Sequence, residues 1–522
     1  MEKCKVRNFI PVILCIIVIA FVQITICSRS SFLYPFNNWD DANCFLSTAK
    51  GMSKGMVLYR DIYEQKGPYL YFLYVIANFI SSNSFLGVYL IEIIMASLSL
   101  YGFYLTLRLY LEKSTSILIL PLVSAIIYSS SAFYWGGSAE ELVNPILVYS
   151  FYISIKYFKE QYPKNIENRF IIIMGLFAGF IFAYKYTLLG LHFAFMMMIA
   201  IAALFRREIC KAISQSIIFL ISMGVANIPI LVYFGYNKAL DSYIEGYFAM
   251  NLKNYSDIKS QIGIRLTIVK YWETFLDIGR SNVLLFSLIT IGIISILVSR
   301  KFKLIEKICV LMMSLFMFVF IYMGSSSFPY YPFPLTIFVV FGFVILVRGA
   351  KCVFNKWRFP DTTYGKCIIA IIIYIVSILV IFVTSLNTSL IGYPREKLYI
   401  YEIVEEMEKY TELDEDTTIL NYGFLDMGLY TVLDIVPNVR FFQGNNMGLA
   451  VLKEEQDRYI REQKCDFIIT LYNDAEFEGY TLIKYLMVED LELLNYPCPY
   501  RLYVKDDLLI LSEGRCNREE LQ

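Results

Sequence analysis

The residues best suited to chemistry lie in one stretch near the start of the chain. Asp40 and Asp41 stand together, and Lys66 follows in the same stretch. A carboxylate can take a proton from a hydroxyl group. An ammonium group can stabilise a phosphate that leaves a reaction centre. The residue types therefore predict a general base and a phosphate contact, provided that the chain folds them together.

Other ionisable residues could join them. Ionisable groups at or in a lipid bilayer are costly, so each is a functional candidate until another role is shown. Arg60 and Lys185 are further candidates for a phosphate contact, because each carries a positive charge. Carboxylates that could line the same pocket are Asp61 and Glu64 in the first loop, and Glu140 and Glu141 in a later one.

Simpler roles for the first loop stay open. Asp40 and Asp41 could cap a helix that begins at Ala42, since Asp is a favoured capping residue. Arg60 and Asp61 could form a surface ion pair, which contributes under about 1 kcal/mol to stability.

The later residues also have structural alternatives. Glu140 and Glu141 could begin a helix, where a carboxylate suits the helix dipole. Lys185 could extend along its helix to reach water. Glu92 lies deep in an apolar stretch, where it could pair with another helix or line a cavity. His192 is the only histidine, and a single histidine of this kind is more typical of a packed side chain than of a catalytic one.

The elements that carry these residues must lie in a membrane. The chain is 57% hydrophobic and only 18% charged, against about 25% charged in an average soluble protein, and its mean hydropathy is +0.55. Long apolar stretches indicate a bilayer. No basic cluster of the kind that binds nucleic acid is present. Eleven spans are predicted, at 9–28, 85–107, 115–130, 142–158, 170–184, 187–205, 212–234, 282–299, 305–323, 331–348 and 366–386.

The distribution of Lys and Arg predicts the orientation. Basic residues concentrate in cytoplasmic loops, and they fit the even-numbered connections if the N-terminus is cytoplasmic. The C-terminal part is then external, as are loops 29–84 and 235–281. The apolar segment 69–80 is too short to span, so we expect it to lie in the outer interface. This predicts a multi-pass protein of the plasma membrane.

The last part of the chain has a different character. Residues 387–522 carry 27 Asp and Glu against 13 Lys and Arg. Helix and strand patterns alternate there, with helices near 396–410 and 450–463 and strands near 417–421, 467–471, 501–504 and 508–511. Alternation of this kind predicts a small α/β domain. We therefore predict a membrane domain at 1–386 and an external soluble domain at 387–522.

Cysteine and histidine usage gives no metal signature. The 11 cysteines include no CxxC pair, which argues against a zinc site or a disulfide framework. With one histidine, the chain cannot supply two histidine ligands.

Several motifs together resemble one family, the GT-C membrane glycosyltransferases. Within this family, the motifs are similar to those of the bacterial relatives of protein O-mannosyltransferases and lipid A aminoarabinose transferases. The first-loop motif is the specific part, and weaker matches follow in the same order along the chain. They lie at 39–45 (Trp-Asp-Asp-Ala-Asn-Cys-Phe), 59–68, 136–141 (Gly-Gly-Ser-Ala-Glu-Glu), Lys185, 330–332 (Tyr-Tyr-Pro) and 421–426 (Asn-Tyr-Gly-Phe-Leu-Asp).

The resemblance implies an activity and assigns roles. It implies inverting transfer of a hexose or pentose from a polyprenyl-phosphate donor to a hydroxyl of a glycan, lipid or protein, in cell-envelope glycan biosynthesis. It places the general base on Asp41, with Asp40 second, and the donor phosphate on Lys66. Many members carry Asp-Glu at 40–41, so both positions stay open for the base. Pro329 stands where a histidine often precedes the Tyr pair, and no cofactor is certain, although a divalent metal stays open.

Two other functions remain as alternatives. A transporter or flippase would have inverted repeats and charges at mid-membrane. A non-catalytic partner in cell-surface glycan assembly is the second alternative.

Overall fold

The computed structural model describes residues 10–252, 264–324, 327–353, 363–444, 450–473, 475–490 and 497–509. The chain forms two compact units. The helical unit comprises Met1–Ser28, Ile91–Ile230 and Ile262–Thr388, and the mixed unit comprises Arg29–Leu90, Leu231–Gln261 and Ser389–Gln522. The predicted boundary between 386 and 387 concerns the membrane and stays a prediction.

The helical unit is built almost wholly from helices. They are Ile10–Cys27, most of Leu86–Arg108, Lys113–Leu118, Leu120–Tyr128, Ala139–Leu142, Asn144–Lys156, Asn168–Lys185, Gly190–Phe205, most of Ile209–Tyr236, Ile264–Ser281, Val283–Val298, Leu304–Ile321, Val339–Val353 and Thr363–Thr384. Short 3₁₀ or π segments lie at Tyr157–Gln161, Tyr186–Leu188 and Phe333–Phe338.

Many of these helices suit a bilayer. Seven helices of the described residues are long and apolar enough to cross one, or eight if the bent pair Thr267–Ser281 and Val283–Val298 counts as a single span. Shorter apolar helices are Pro68–Ile80, Lys113–Tyr128 and Gly190–Phe205. The chain is thus a multi-pass membrane protein, as its composition predicts. The count of eleven spans, the interfacial position of 69–80 and the sidedness stay predictions.

Two glycines allow a close helix crossing in the helical unit. A Cβ atom at Gly175 would lie 2.5 Å from the carbonyl oxygen of Phe219, and one at Gly179 would lie 2.3 Å from that of Met223. Any larger residue would push the Asn168–Lys185 and Ile209–Tyr236 helices apart. Small residues four apart are the usual device for such an approach in membranes.

The mixed unit combines short helices with one sheet. Its helices are Asp40–Ser53, Pro68–Ile80, Leu240–Tyr243, Tyr399–Met407, Leu429–Val432 and Ala450–Arg461, with a π segment at Ile244–Ala249 and 3₁₀ turns at Thr388–Leu390, on the border between the units, and at Arg395–Lys397. The strands are β1 (Ile419–Tyr422), β2 (Phe467–Thr470), β3 (Tyr480–Val488) and β4 (Cys498–Lys505).

The sheet has the order β1-β2-β4-β3. β1 and β2 are parallel, and β4 is antiparallel to both β2 and β3. The parallel pair is buried along its whole length, as expected for parallel strands. The predicted α/β character of the tail is therefore confirmed. The predicted strand at 508–511 is wrong where it is described, because residues 506–509 form a helical turn, and 510–511 lie outside the described residues.

Candidate active site

The helix Asp40–Ser53, here called the acidic helix, carries both candidate bases. It begins at Asp40, and Trp39 is its capping residue, with no hydrogen bond from the Trp39 side chain. The expectation of a helix from Ala42 capped by the two carboxylates is therefore wrong. Both carboxylates lie in the first turn, where the helix dipole favours negative charge. Every residue from Asp41 to Gly51 is buried.

Asp41 lies with Glu64 and Lys66 in one buried group. Asp41 is 6% exposed and Glu64 is 4% exposed. Burial raises the pKa of Glu64, the charge of Lys66 opposes that rise, and the carboxylate of Asp41 adds to it. The ammonium of Lys66 lies 5.8 Å from the ring centre of Phe45, one turn along the acidic helix from Asp41. The mixed unit thus brings together two carboxylates and a cation that the sequence predicted as partners.

Backbone contacts fix the segment that carries Lys66. Its N–H lies 3.0 Å from the Glu64 carboxylate and 3.0 Å from the Tyr71 hydroxyl. Its carbonyl accepts a hydrogen bond from the Tyr59 hydroxyl. The ring of Tyr59 stacks on Phe234 at 5.7 Å. This packing holds the backbone of Lys66 in one place.

Asp40 faces a different environment from Asp41. Burial raises the pKa of Asp40 to about 7, and the neighbouring Asp41 carboxylate adds to the rise. Burial also raises the pKa values of Tyr399 and Tyr500, to which the charge of Asp40 contributes. The rings of Tyr399 and Tyr500 stack at 5.3 Å. Asp40 therefore lies near the tail of the mixed unit.

The tail also contacts the acidic helix directly, through side chains of both segments. The hydroxyl of Ser47 donates to the Asp426 carboxylate at 2.6 Å. The ammonium of Lys50 donates to the carbonyl of Tyr430 at 2.7 Å and to Asp434 at 2.8 Å. Burial raises the pKa of Asp426 to about 6, although these donors oppose the rise. The resemblance at 421–426 was the one available signal for these contacts.

Arg60 and Asp61 form a pair of their own. Two nitrogen atoms of Arg60 each lie 2.8 Å from an Asp61 oxygen. The side chains are 44% and 34% exposed, and the hydrogen bond from Arg60 lowers the pKa of Asp61. Arg60 also donates to the carbonyl of Asn237. This arrangement matches the surface ion pair that the sequence left open.

In the helical unit, Lys185 is paired with Glu140. Their salt bridge is largely buried, at 12% and 1% exposure, so Lys185 does not extend freely to water. The ammonium also lies 4.4 Å from the ring centre of Tyr331. The second oxygen of Glu140 and the hydroxyl of Tyr322 are buried without a hydrogen-bond partner in the described parts of the chain.

Glu141 and Glu92 are also buried in the helical unit. The backbone N–H of Gly137 donates to Glu141 at 2.9 Å, and the Ser138 hydroxyl caps the same turn. Ser28 donates to the Glu92 carboxylate at 2.8 Å, which gives this deep carboxylate a polar partner.

His192 is buried against Ser150, 2.9 Å from its hydroxyl, as the packed alternative predicts. Among the residues described, no group of three or more His, Cys, Asp or Glu side chains is arranged to hold a metal ion.

This architecture is GT-C-like in fold and is similar to that of solved structures of ArnT. The crystal structure of ArnT from Cupriavidus metallidurans in the apo state aligns over 96% of this chain and 98% of its own, with a TM-score of 0.58 and 10% identity. The same ArnT bound to undecaprenyl phosphate aligns over the same shares, with a TM-score of 0.56 and 10% identity. The GT-C-like fold that the motifs imply is confirmed.

A further solved structure is similar over part of its own length. The archaeal oligosaccharyltransferase AglB from Archaeoglobus fulgidus, in complex with an inhibitory peptide and a dolichol-phosphate, aligns over 88% of this chain and 69% of its own, with a TM-score of 0.47 and 12% identity. No protein-family model matches the sequence, and no curated protein matches it.

Proposed function

We propose that this protein is a GT-C glycosyltransferase of the cell membrane. It moves a sugar from a polyprenyl-phosphate donor to an acceptor hydroxyl on the outer face, with inversion at the anomeric carbon. The observation that carries the proposal is the buried group of Asp41, Glu64 and Lys66 in the mixed unit. The ArnT structure with undecaprenyl phosphate supports a donor of this kind.

The reaction is one displacement. The Asp41 carboxylate takes the proton of the acceptor hydroxyl, and the oxygen attacks the anomeric carbon. The bond from that carbon to the donor phosphate breaks as the new glycosidic bond forms, which inverts the configuration. The phosphate leaves with the electron pair, and the Lys66 ammonium stabilises its charge. Asp40 is the second candidate for the base.

Glu64 has a positioning role in this scheme. Its carboxylate accepts from the backbone N–H of Lys66, which fixes the segment that carries the lysine. Arg60 as a donor-phosphate contact stays a prediction, and its exposed pair with Asp61 makes Lys66 the stronger candidate. Asp61, Glu140 and Glu141 stay predictions as pocket residues.

The helical unit has features that suit a lipid donor. An apolar cavity of about 600 Å³ is lined by Tyr271, Phe318 and Pro332, among others. Phe318 contacts Tyr322, and Tyr322 contacts Tyr331, against which Lys185 lies. An apolar cavity near a buried ammonium is suited to an isoprenoid chain that ends in phosphate. Lys185 is accordingly our second candidate for a phosphate contact.

The test starts from the cell. A strain without the protein should lose a glycan, detected by mass spectrometry of the envelope, and the wild-type chain should restore it while Asp41→Asn should not. The missing sugar then identifies the donor for assays on purified protein in nanodiscs. If the purified protein moves a labelled polyprenyl phosphate between leaflets but transfers no sugar, the transporter alternative replaces this proposal. If it does neither and the cell still loses the glycan, the protein is a non-catalytic partner.

A further inference from the structure

The mixed unit contains a second polar cavity that shares no residue with the Asp41, Glu64 and Lys66 group. Its volume is about 340 Å³, near the lower end of the range for small-molecule sites, about 300–1,000 Å³. It lies between the segment that follows Ser28 and the turn at Arg395–Lys397. The proposed transfer reaction leaves this cavity without a role.

Its polar lining is positive. Arg29 and Arg395 both line it, and its other polar side chains are neutral: Ser30, Ser31, Asn37, Asn83 and Ser84, with Tyr34 beside them. No Asp or Glu occurs among the described residues of its wall. Arginine stays charged at every working pH and presents a planar fork of donors that matches a phosphate. The lining therefore favours an oxyanion over a neutral or cationic ligand.

Both guanidinium groups are held in place before any ligand arrives. Arg29 is 3% exposed, and its Nη1 donates to the Asn38 side chain at 2.9 Å. Arg395 donates to the Tyr401 hydroxyl, and its guanidinium lies 4.9 Å from the Tyr401 ring centre. Side chains that are already ordered lose less entropy on binding.

A backbone contact joins the two walls of the cavity. The N–H of Gly392 donates to the carbonyl of Leu33 at 3.0 Å, and Gly392 has a φ of +72°, which glycine adopts without strain. This bond fixes the segment that carries Arg395 against the loop that carries Arg29. The two guanidinium groups thus belong to one built site.

The rest of the wall is apolar and partly exposed. Phe36 and Phe85 contact each other at 5.5 Å, while Phe32 is 66% exposed and Leu86 is 44% exposed. All four residues line the cavity. We propose that this cavity binds the phosphate group of an amphiphilic phosphate ester, with the phosphate on Arg29 and Arg395 and the apolar part along Phe32 and Leu86. The ester is either a membrane phospholipid or a soluble phosphate ester.

The experiment compares two variants that remove the same charge from the same turn. Arg395→Gln removes a lining residue, whereas Lys397→Gln changes an exposed neighbour outside the cavity. Full-length protein in detergent is titrated with phosphatidylglycerol, and separately with glycerol 3-phosphate, and binding is followed by native mass spectrometry. Loss of a charged hydrogen-bonding group should weaken binding about tenfold or more in Arg395→Gln, with Lys397→Gln like the wild type.

The two probes distinguish the sources. Selective loss of phosphatidylglycerol binding in Arg395→Gln assigns the site to a lipid headgroup, and selective loss of glycerol 3-phosphate binding assigns it to a soluble ester. Equal binding of both probes by Arg395→Gln and Lys397→Gln, or no binding by the wild type, would overturn the proposal. Both variants should restore the glycan of the deletion strain as well as the wild type does, so this test stands apart from that of the transfer reaction.

Discussion

The exchange Asp41→Asn should separate a catalytic carboxylate from a structural one. Asn has nearly the shape of Asp but cannot accept the proton of an acceptor hydroxyl. Loss of a general base typically slows a reaction about 10²–10⁴-fold, which corresponds to about 3–5 kcal/mol of activation free energy. We expect transfer by Asp41→Asn to fall within this range or below detection.

The expected effect of the same exchange on stability is much smaller. The helix start does not depend on Asp41 as a cap, because Trp39 is the capping residue. The interaction of one charge with the helix dipole, about 0.3–1 kcal/mol, is lost. Removal of that charge from beside Glu64 also relieves a repulsion. Asp41→Asn should therefore fold and accumulate like the wild type.

The assay measures both quantities on the same protein. Initial rates of transfer are measured in nanodiscs, with the donor chosen from the glycan that the deletion strain lacks, and the thermal unfolding midpoint is measured in parallel. Asp40→Asn is the matched variant, and we expect it to lose less activity. If Asp41→Asn keeps more than about a tenth of the wild-type rate while Asp40→Asn is inactive, the base is Asp40. If both variants are active, the mechanism is wrong.

Three further outcomes are expected. Lys66→Gln should lower the transfer rate about 10²–10³-fold, as the loss of a transition-state contact does. Arg60→Gln should change the rate by less than about threefold. Equal effects would contradict the choice of Lys66 as the donor-phosphate contact. Because the pKa of Asp40 is raised, its contribution to stability is fully present below about pH 4 and is lost as the pH rises through about 7. The thermal unfolding midpoint of the wild type should therefore fall between pH 5 and pH 8 by more than the midpoint of Asp40→Asn does. Equal falls in the two proteins would refute this. Ser47→Ala should lower the midpoint, because a buried carboxylate loses a donor worth about 1.5–3 kcal/mol, and an unchanged midpoint would show that the contact with Asp426 contributes nothing.

The local parts of the site could be predicted from the sequence. Asp41 and Lys66 belong to one continuous segment, residues 40–68. The carboxylate at the start of the helix and the later lysine could therefore be expected to lie close together. The predicted start of the helix at Ala42 is wrong by two residues, since the helix begins at Asp40. Asp is favourable both as a cap and in the first turn, so its presence alone does not fix the first helical residue. Only the packed structure separates Asp41, beside Glu64, from Asp40, near Tyr399.

Parts of the tail could not be predicted because their patterns are weak. β3 escaped detection because its exposure does not alternate cleanly and its register against β4 shifts between Leu482 and Lys484. Spacing of apolar residues cannot identify a strand that lacks a clean two-residue period. Likewise, the short apolar helices such as Gly190–Phe205 are too near the length limit for apolar content alone to decide whether they span.

The side-chain contacts between the tail and the acidic helix explain how this helix is held. This helix buries Ser47 and Lys50 along with its apolar side chains, and buried polar groups need partners. Their partners are Asp426 and Asp434, 379 and 384 residues further along the chain. Burial lowers the pKa of Lys50, and the hydrogen bond to Asp434 counters that effect, so the helix would be poorly stable in this position without the tail. The tail therefore helps to place the proposed base, although it contributes no residue to the proposed proton transfer.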